Sequence, residues 1–266
     1  MKRINHKKVL ASHIIILIIG FIIGILVFSA SMNLNNNKDL NLLTKLSLDN
    51  INLNEINEKR SGNANLVAVT NNGFGVIGKV YVDIVDGEGR VLVNTNPFIE
   101  PDTQFSAVTA VNVAKNLTNT DLKNKNVIID FKVPKIDIEH RGVVGGPSAG
   151  VAMTLAVISA INGKNVKDFV ATGAILPDGG IGQISGVIEK ADAVSDNNFT
   201  LFLIPEGQGK FDYYERQIRT KDVKGLKIRN VVLVPKSIDL IDYFKNEKNL
   251  TIKEVKDING VLDYAF

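Results

Sequence analysis

Gly145-Gly146-Pro147-Ser148-Ala149-Gly150 opens onto Val151-Ala152-Met153-Thr154-Leu155-Ala156-Val157-Ile158-Ser159-Ala160-Ile161-Asn162-Gly163, and the reading of this stretch decides the rest. The run is apolar on nearly every side, which predicts a helix from Pro147 to about Asn162 that is buried on most faces. Proline suits the first turn, where its missing N–H would have no partner, and Gly163 suits the end. Ser148 then stands at the mouth of the helix among small residues that leave its hydroxyl uncovered. The first N–H groups of a helix have no partner within it, and the dipole makes that end partly positive. Together with the Gly145-Gly146 turn, they could donate to an oxyanion forming beside Ser148. A serine is also a favoured residue at ordinary helix starts. Whether Ser148 is a cap or a nucleophile depends on whether the chain supplies a base.

The candidate base is Lys190. Val187, Lys190, Ala191 and Val194 recur at i, i+3, i+4 and i+7, so the lysine lies in the apolar stripe of a helix over about 186–195, while Glu189 and Asp192 take the other face. Burial disfavours an ammonium and lowers its pKa, and a neutral amine is a general base towards a serine hydroxyl. The alternative is a lysine that carries its charge out to water along its stem.

Around these two helices the chain alternates. Leu66–Thr70, Gly75–Val85 and Gly89–Asn94 read as strands of an antiparallel meander, with turns at 71–73 and 86–89. Phe105–Leu117 reads as a helix capped by Asp102 or Thr103, and Asn126–Val133 as a strand stopped by Pro134. Val166–Ile175 resembles a strand, Pro177–Gly182 a glycine-dependent turn with Asp178 as turn former, and Phe199–Ile204 a strand. Glu206–Lys227 is polar and reads as partly helical, followed by a strand at Val231–Val234 and a helix at Ser237–Phe244 capped by Ser237. The expected class is a mixed α/β (α+β) domain.

The chain of 266 residues is long enough for one sizeable domain with attachments. Its formal charge of +3 is a terminal feature, because Lys2, Arg3, Lys7 and Lys8 contribute +4 before His13 and leave −1 for the remainder. Nucleic acid is therefore not an expected partner. Cysteine is absent, which excludes disulfides and thiolate zinc sites, and three histidines (His6, His13, His140) leave no histidine-rich metal site. No metal and no cofactor are expected. From Val9 to Asn37 there is no charge, and Ile14–Phe28 is apolar over a length that suits a transmembrane helix. The basic flank directs the rest of the chain outward. A cleaved signal ending near Ser29-Ala30-Ser31, giving a secreted protein, is the competing reading. The expected organisation is a cytoplasmic basic flank at 1–13, an anchor at 14–31, an asparagine-rich spacer at 32–64, the folded domain at 65–246 and a C-terminal extension at 247–266. His140 reads as structural or substrate-edge. Three sequons, at Asn116, Asn198 and Asn249, matter only if the domain lies outside.

The serine block at 146–150, the Thr172-Gly173 pair, the glycine-rich turn from Gly180 to Gly186 and Glu189-Lys190 together resemble the proteolytic domain of the Lon proteases. The likeness is to stand-alone, membrane-anchored archaeal members and bacterial PDZ-linked ones, and covers roughly Leu66 to Phe244. The resemblance implies the mixed Lon-type fold, serine endopeptidase activity on unfolded or misfolded polypeptides, and homo-oligomers, with hexameric rings in that family. It implies Ser148 as nucleophile, Lys190 as base and Thr172 as the residue that orients the lysine. Two positions depart from the family: Gly145 stands where aspartate is usual, and Ala174 where glutamate is common. The chain has no G-x-x-x-x-G-K-[ST] loop, so ATP-independent cleavage, or a separate unfolding partner, is expected. The reading from another class is a catalytically inactive module of this fold that tethers a partner at the membrane.

Overall fold

The computed structural model describes residues 59–134, 143–223 and 226–266, all within one unit from Asn57 to Phe266. The expected basic flank, the apolar anchor, most of the spacer and His140 lie outside the described residues. No helix among the described residues is long and apolar enough to cross a membrane.

β1 (Arg60–Val69) and β2 (Gly75–Asp86) form an antiparallel hairpin in which Arg60 faces Ile84 and Val69 faces Gly75. Inward residues alternate along β2 at Val80, Val82 and Ile84, all buried, as a strand with one solvated face requires. After β3 (Val91–Val93) and β4 (Phe98–Ile99) comes α1 (Pro101–Thr118), then β5 (Lys125–Lys132). The sheet order is β1-β2-β5-β3, with β5 antiparallel to β2 and parallel to β3. The expected three-strand meander is thereby corrected. Parallel neighbours need a crossover, and α1 supplies one between β3 and β5.

α1 starts at Pro101, ahead of the expected Phe105, and its cap position is Glu100, which makes no side-chain cap bond. Phe105 is 73% exposed, so this aromatic residue sits on the solvent face and does not mark the boundary. β6 (Val143–Val144) pairs in parallel with β4 and runs into a single 3₁₀ turn at Pro147–Ala149 and then α2 (Gly150–Asn162). Every α2 residue from Gly150 to Ala160 is buried, against β1, β2 and α1. The helix ends at Gly163, as its sequence predicts.

The strand expected over 166–175 is broken into β7 (Val170–Ala171) and β8 (Ala174–Ile175). The break has a cause: the Gly173 N–H leaves the sheet to reach the Ser148 carbonyl at 3.0 Å. β9 (Ile181–Gly182) pairs back on β8, and in the intervening turn Asp178 Oδ1 accepts from the Gly180 N–H at 2.9 Å. α3 (Val187–Asp196) follows, then β10 (Leu201–Pro205). α3 lies close over the start of β2, where a methyl group on Gly75 would stand 2.0 Å from the Glu189 carbonyl oxygen. Only glycine admits that approach.

The described residues of 206–227 are not helical. β11 (Lys210–Val223) and β12 (Leu226–Asp239) form a two-stranded antiparallel ribbon, paired from Lys210–Asp239 out to Val223–Leu226. Phe211, Tyr213, Ile218, Thr220 and Val223 are residues that suit a pleated strand, and the described residues offer no buried stripe to favour a helix. The helix expected to begin at Ser237 begins instead as α4 (Leu240–Lys248), capped by Asp239, whose carboxylate accepts from the Asp242 N–H at 3.1 Å. Residues 247–266 are part of the folded unit and not an extension. β13 (Thr251–Val255) pairs in parallel with β10, which also pairs with β7, and α5 (Ile258–Ala265) buries Ile258, Val261 and Ala265 in the core. The folded unit also reaches back past 65, since residues 60–64 belong to β1. The architecture is mixed α/β: an antiparallel-dominated sheet and a small parallel sheet, with α2 and α3 delivering the two ends of the site.

Candidate functional site

Ser148 is the middle residue of the 3₁₀ turn ahead of α2, half-buried, with its backbone held from two sides. From α1 come three contacts. Asp102 Oδ1 accepts from the Gly146 N–H at 3.3 Å, Thr103 Oγ1 donates to the Gly146 carbonyl at 2.9 Å, and Ser106 Oγ donates to the Pro147 carbonyl at 3.2 Å. From the β7–β8 break come two more, both onto the Ser148 carbonyl: the Gly173 N–H at 3.0 Å and Thr172 Oγ1 at 3.2 Å. Gly146 takes φ 81°, a conformation side-chain-bearing residues rarely adopt. The backbone is thus fixed while the hydroxyl is left free: among the described residues the Ser148 Oγ has no hydrogen-bond partner.

Lys190 is 3% exposed, so it does not carry its charge out to water. Burial lowers its pKa from 10.5 to about 8, with Glu189 pulling weakly the other way. Its Nζ donates to Thr172 Oγ1 at 3.4 Å. The Thr172 hydroxyl has one proton, committed to the Ser148 carbonyl, so towards the lysine it is an acceptor. A neutral amine held in this way keeps its lone pair for another direction. Ser148 and Lys190 line one cleft of about 400 Å³, with Val69, Gly145, Gly146 and Gln183 among the other walls. The structure therefore brings together Ser148, Thr172 and Lys190, which lie apart in sequence.

Gly145 and Gly146 form the rim of that cleft. The Gly146 N–H is engaged by Asp102, so Gly146 supports the turn and is not a free donor. The Glu100 side chain packs over Gly145, where an added methyl group would collide with its carboxylate. Several residues that shape the site are not read as site residues from sequence, where Asp102 and Thr103 stand only as helix caps. Thr103 and Ser106 carried a signal, two polar residues at i and i+3 on the same α1 face as Ala107, Ala110 and Ala114. Gln208 carried none. Its side-chain amide accepts from the Ile184 N–H at 3.0 Å and donates to the Ile184 carbonyl at 2.7 Å, holding the loop that forms the opposite wall.

This arrangement can do one kind of chemistry well. A free hydroxyl at a helix start, a desolvated amine in the same cleft and nearby backbone donors suit attack on a carbonyl. The comparisons agree with that chemistry. The family model of the Lon protease (S16) C-terminal proteolytic domain matches residues 39–231. A Lon protease of Finegoldia magna is 32% identical over 198 residues, 70% of this chain and 24% of that protein. An archaeal Lon protease of Methanocaldococcus jannaschii is 31% identical over 144 residues, 50% of this chain and 21% of that protein. Another, of Archaeoglobus fulgidus, is 26% identical over 150 residues, 54% of this chain and 23% of that protein. The chain thus spans about a quarter or less of the length of these curated relatives. With a match over most of its length, the chain belongs to the Lon protease (S16) C-terminal proteolytic domain family.

Proposed function

We propose that the chain is an ATP-independent serine endopeptidase with a Ser148–Lys190 dyad, acting on unfolded polypeptides. The observation that carries this reading is a buried lysine with a depressed pKa in the cleft of a serine hydroxyl that has no hydrogen-bond partner among the described residues. The neutral Lys190 amine takes the Ser148 proton as the oxygen attacks the scissile carbonyl carbon. The resulting oxyanion is met by N–H groups of the first turn at Ser148 and Ala149, Pro147 having none. Collapse transfers the proton from the Lys190 ammonium to the leaving amine and leaves an ester on Ser148. Lys190 then takes a proton from water, whose oxygen attacks the ester, and returns it to the Ser148 oxygen as the acid product leaves.

The pH dependence follows from the lysine. With a pKa of about 8 the amine is neutral in about a tenth of the molecules at pH 7 and in about nine-tenths at pH 9. Cleavage of casein without ATP should therefore rise ~10-fold from pH 7 to 9. A rate flat over that range, or zero until ATP is added, would overturn the reading.

Thr172 is a positioning residue in this scheme. Thr172→Val is expected to lower kcat by roughly 10- to 100-fold, since it removes the acceptor that aims the lysine. KM should change little and Thr172→Ser should restore most of the rate. An equal loss in the serine variant would mean that the methyl group, not the hydroxyl, matters.

Membrane anchorage by residues 14–31, an extracytoplasmic domain and a homo-oligomeric, ring-shaped assembly belong to the same proposal, on the strength of the sequence and the family. A separate unfolding partner would extend the substrates to folded proteins.

A further inference from the structure

The β11–β12 ribbon is unexplained by the peptidase reading. Among the described residues its strands pair only with each other, and its root is tied to the domain by the Leu240 N–H on the Gly209 carbonyl at 2.8 Å. In the register of the ribbon, Tyr214 faces Pro235, Arg216 faces Leu233, Ile218 faces Val231, Thr220 faces Arg229 and Asp222 faces Lys227. Alternate positions share a face, so these pairs form one continuous side of the ribbon. That side is apolar and bare: Tyr214 is 70% exposed, Ile218 66%, Leu233 62% and Val231 49%. It is also basic, through Arg216, Lys227 and Arg229, all exposed. The distal stretch 218–231 carries Arg219, Lys221, Lys224, Lys227 and Arg229 against Asp222, a net +4, while the rest of 59–266 sums to −3. The positive charge of the folded unit is concentrated on this arm.

We infer that this face of the ribbon is a docking surface for an anionic lipid bilayer. Aliphatic side chains flanked by cations suit the boundary between acyl chains and headgroups, where apolar burial and charge attraction add. Two other occupants fit less well. A second copy presenting the same face would bring Arg216, Lys227 and Arg229 against their like. Single-stranded nucleic acid is held by aromatic stacking, and the ribbon's aromatics, Phe211, Tyr213 and Tyr214, all sit towards its root, with aliphatic residues further out. The inference does not depend on the Ser148–Lys190 chemistry.

The chain has no cysteine, so a single Ile218→Cys substitution in the full chain carries one environment-sensitive fluorophore at the centre of the face. The label is compared in vesicles of phosphatidylcholine alone and of equimolar phosphatidylcholine and phosphatidylglycerol. Any attachment through residues 14–31 is common to both. The expected result is a blue shift with the anionic vesicles only, reversed by high salt. Neutralising Arg216, Lys227 and Arg229 to serine should raise the anionic lipid needed for half the shift ~10-fold or more. Casein cleavage in solution should be unchanged by the triple variant. The inference is overturned by no shift with anionic vesicles or by the same shift with neutral ones. It is equally overturned by a shift without lipid that grows with protein concentration, the mark of a second copy, or by a shift with RNA where vesicles give none.

Discussion

Replacing Lys190 by methionine is expected to abolish cleavage and to make the protein more stable. The side chain is 3% exposed and its pKa falls from 10.5 to about 8, so holding it charged in the fold costs about 3 kcal/mol at neutral pH. Methionine has similar length and volume and no charge to desolvate. Some of the gain is lost with the bond to Thr172, leaving about 2 kcal/mol, read as a higher urea midpoint at unchanged slope. The sign changes with pH in a defined way. Below pH 8 both the folded and unfolded lysine are protonated and the penalty is complete. Between about 8 and 10.5 the unfolded chain binds more protons than the folded one, so the parent gains stability as pH rises. The advantage of the variant should therefore shrink across that window and vanish near its top. Activity should fall about 10³-fold or more, as for removal of the base from a nucleophile-base pair. A variant that was both inactive and less stable would point to a structural lysine.

Ser148→Ala should give a loss of similar size with the stability left alone. Its hydroxyl makes no hydrogen bond among the described residues, and the turn is held through carbonyls and N–H groups that alanine retains. The expected change in unfolding free energy is within about 0.5 kcal/mol. The expected fall in casein cleavage is about 10³-fold or more, because no ester can form. Since the two residues act as a unit, the double variant should be no slower than either single one. Full additivity would separate their roles.

These expectations rest on features of unequal visibility in the sequence. The helix ending at Asn162 and the burial of Lys190 are legible because both are local, an unbroken apolar run in one case and a stripe at i, i+3, i+4 and i+7 in the other. The expected start at Pro147 is instead a 3₁₀ turn, and the α-helix begins at Gly150. The β5 position between β2 and β3 was not legible, since pairing partners are set by a crossover through α1 that leaves no local mark. The ribbon is legible in one strand and not in the other. Only its first strand departs from expectation, because Tyr214 and Ile218 are exposed and the alternation that identifies a half-buried strand is blurred, whereas the strand expected at Val231–Val234 lies within β12. At the site, Lys190 could be picked out by its place in an apolar stripe. That Thr172 stands between it and the Ser148 carbonyl depends on the β7–β8 break, which brings together segments distant in the chain. The Asp102, Thr103 and Ser106 contacts depend equally on α1 starting at Pro101, which puts the two expected cap residues, Asp102 and Thr103, inside its first turn.

The central claim is that the Lys190 amine activates the Ser148 hydroxyl, and reaction of that hydroxyl with a fluorophosphonate measures this without a substrate. Mass spectrometry of the labelled chain should find the adduct on Ser148 alone. The labelling rate should rise through a pKa near 8 in the parent chain and be slow and flat from pH 6 to 10 in Lys190→Met. Labelling as fast in that variant as in the parent, or an adduct on another residue, would contradict the account.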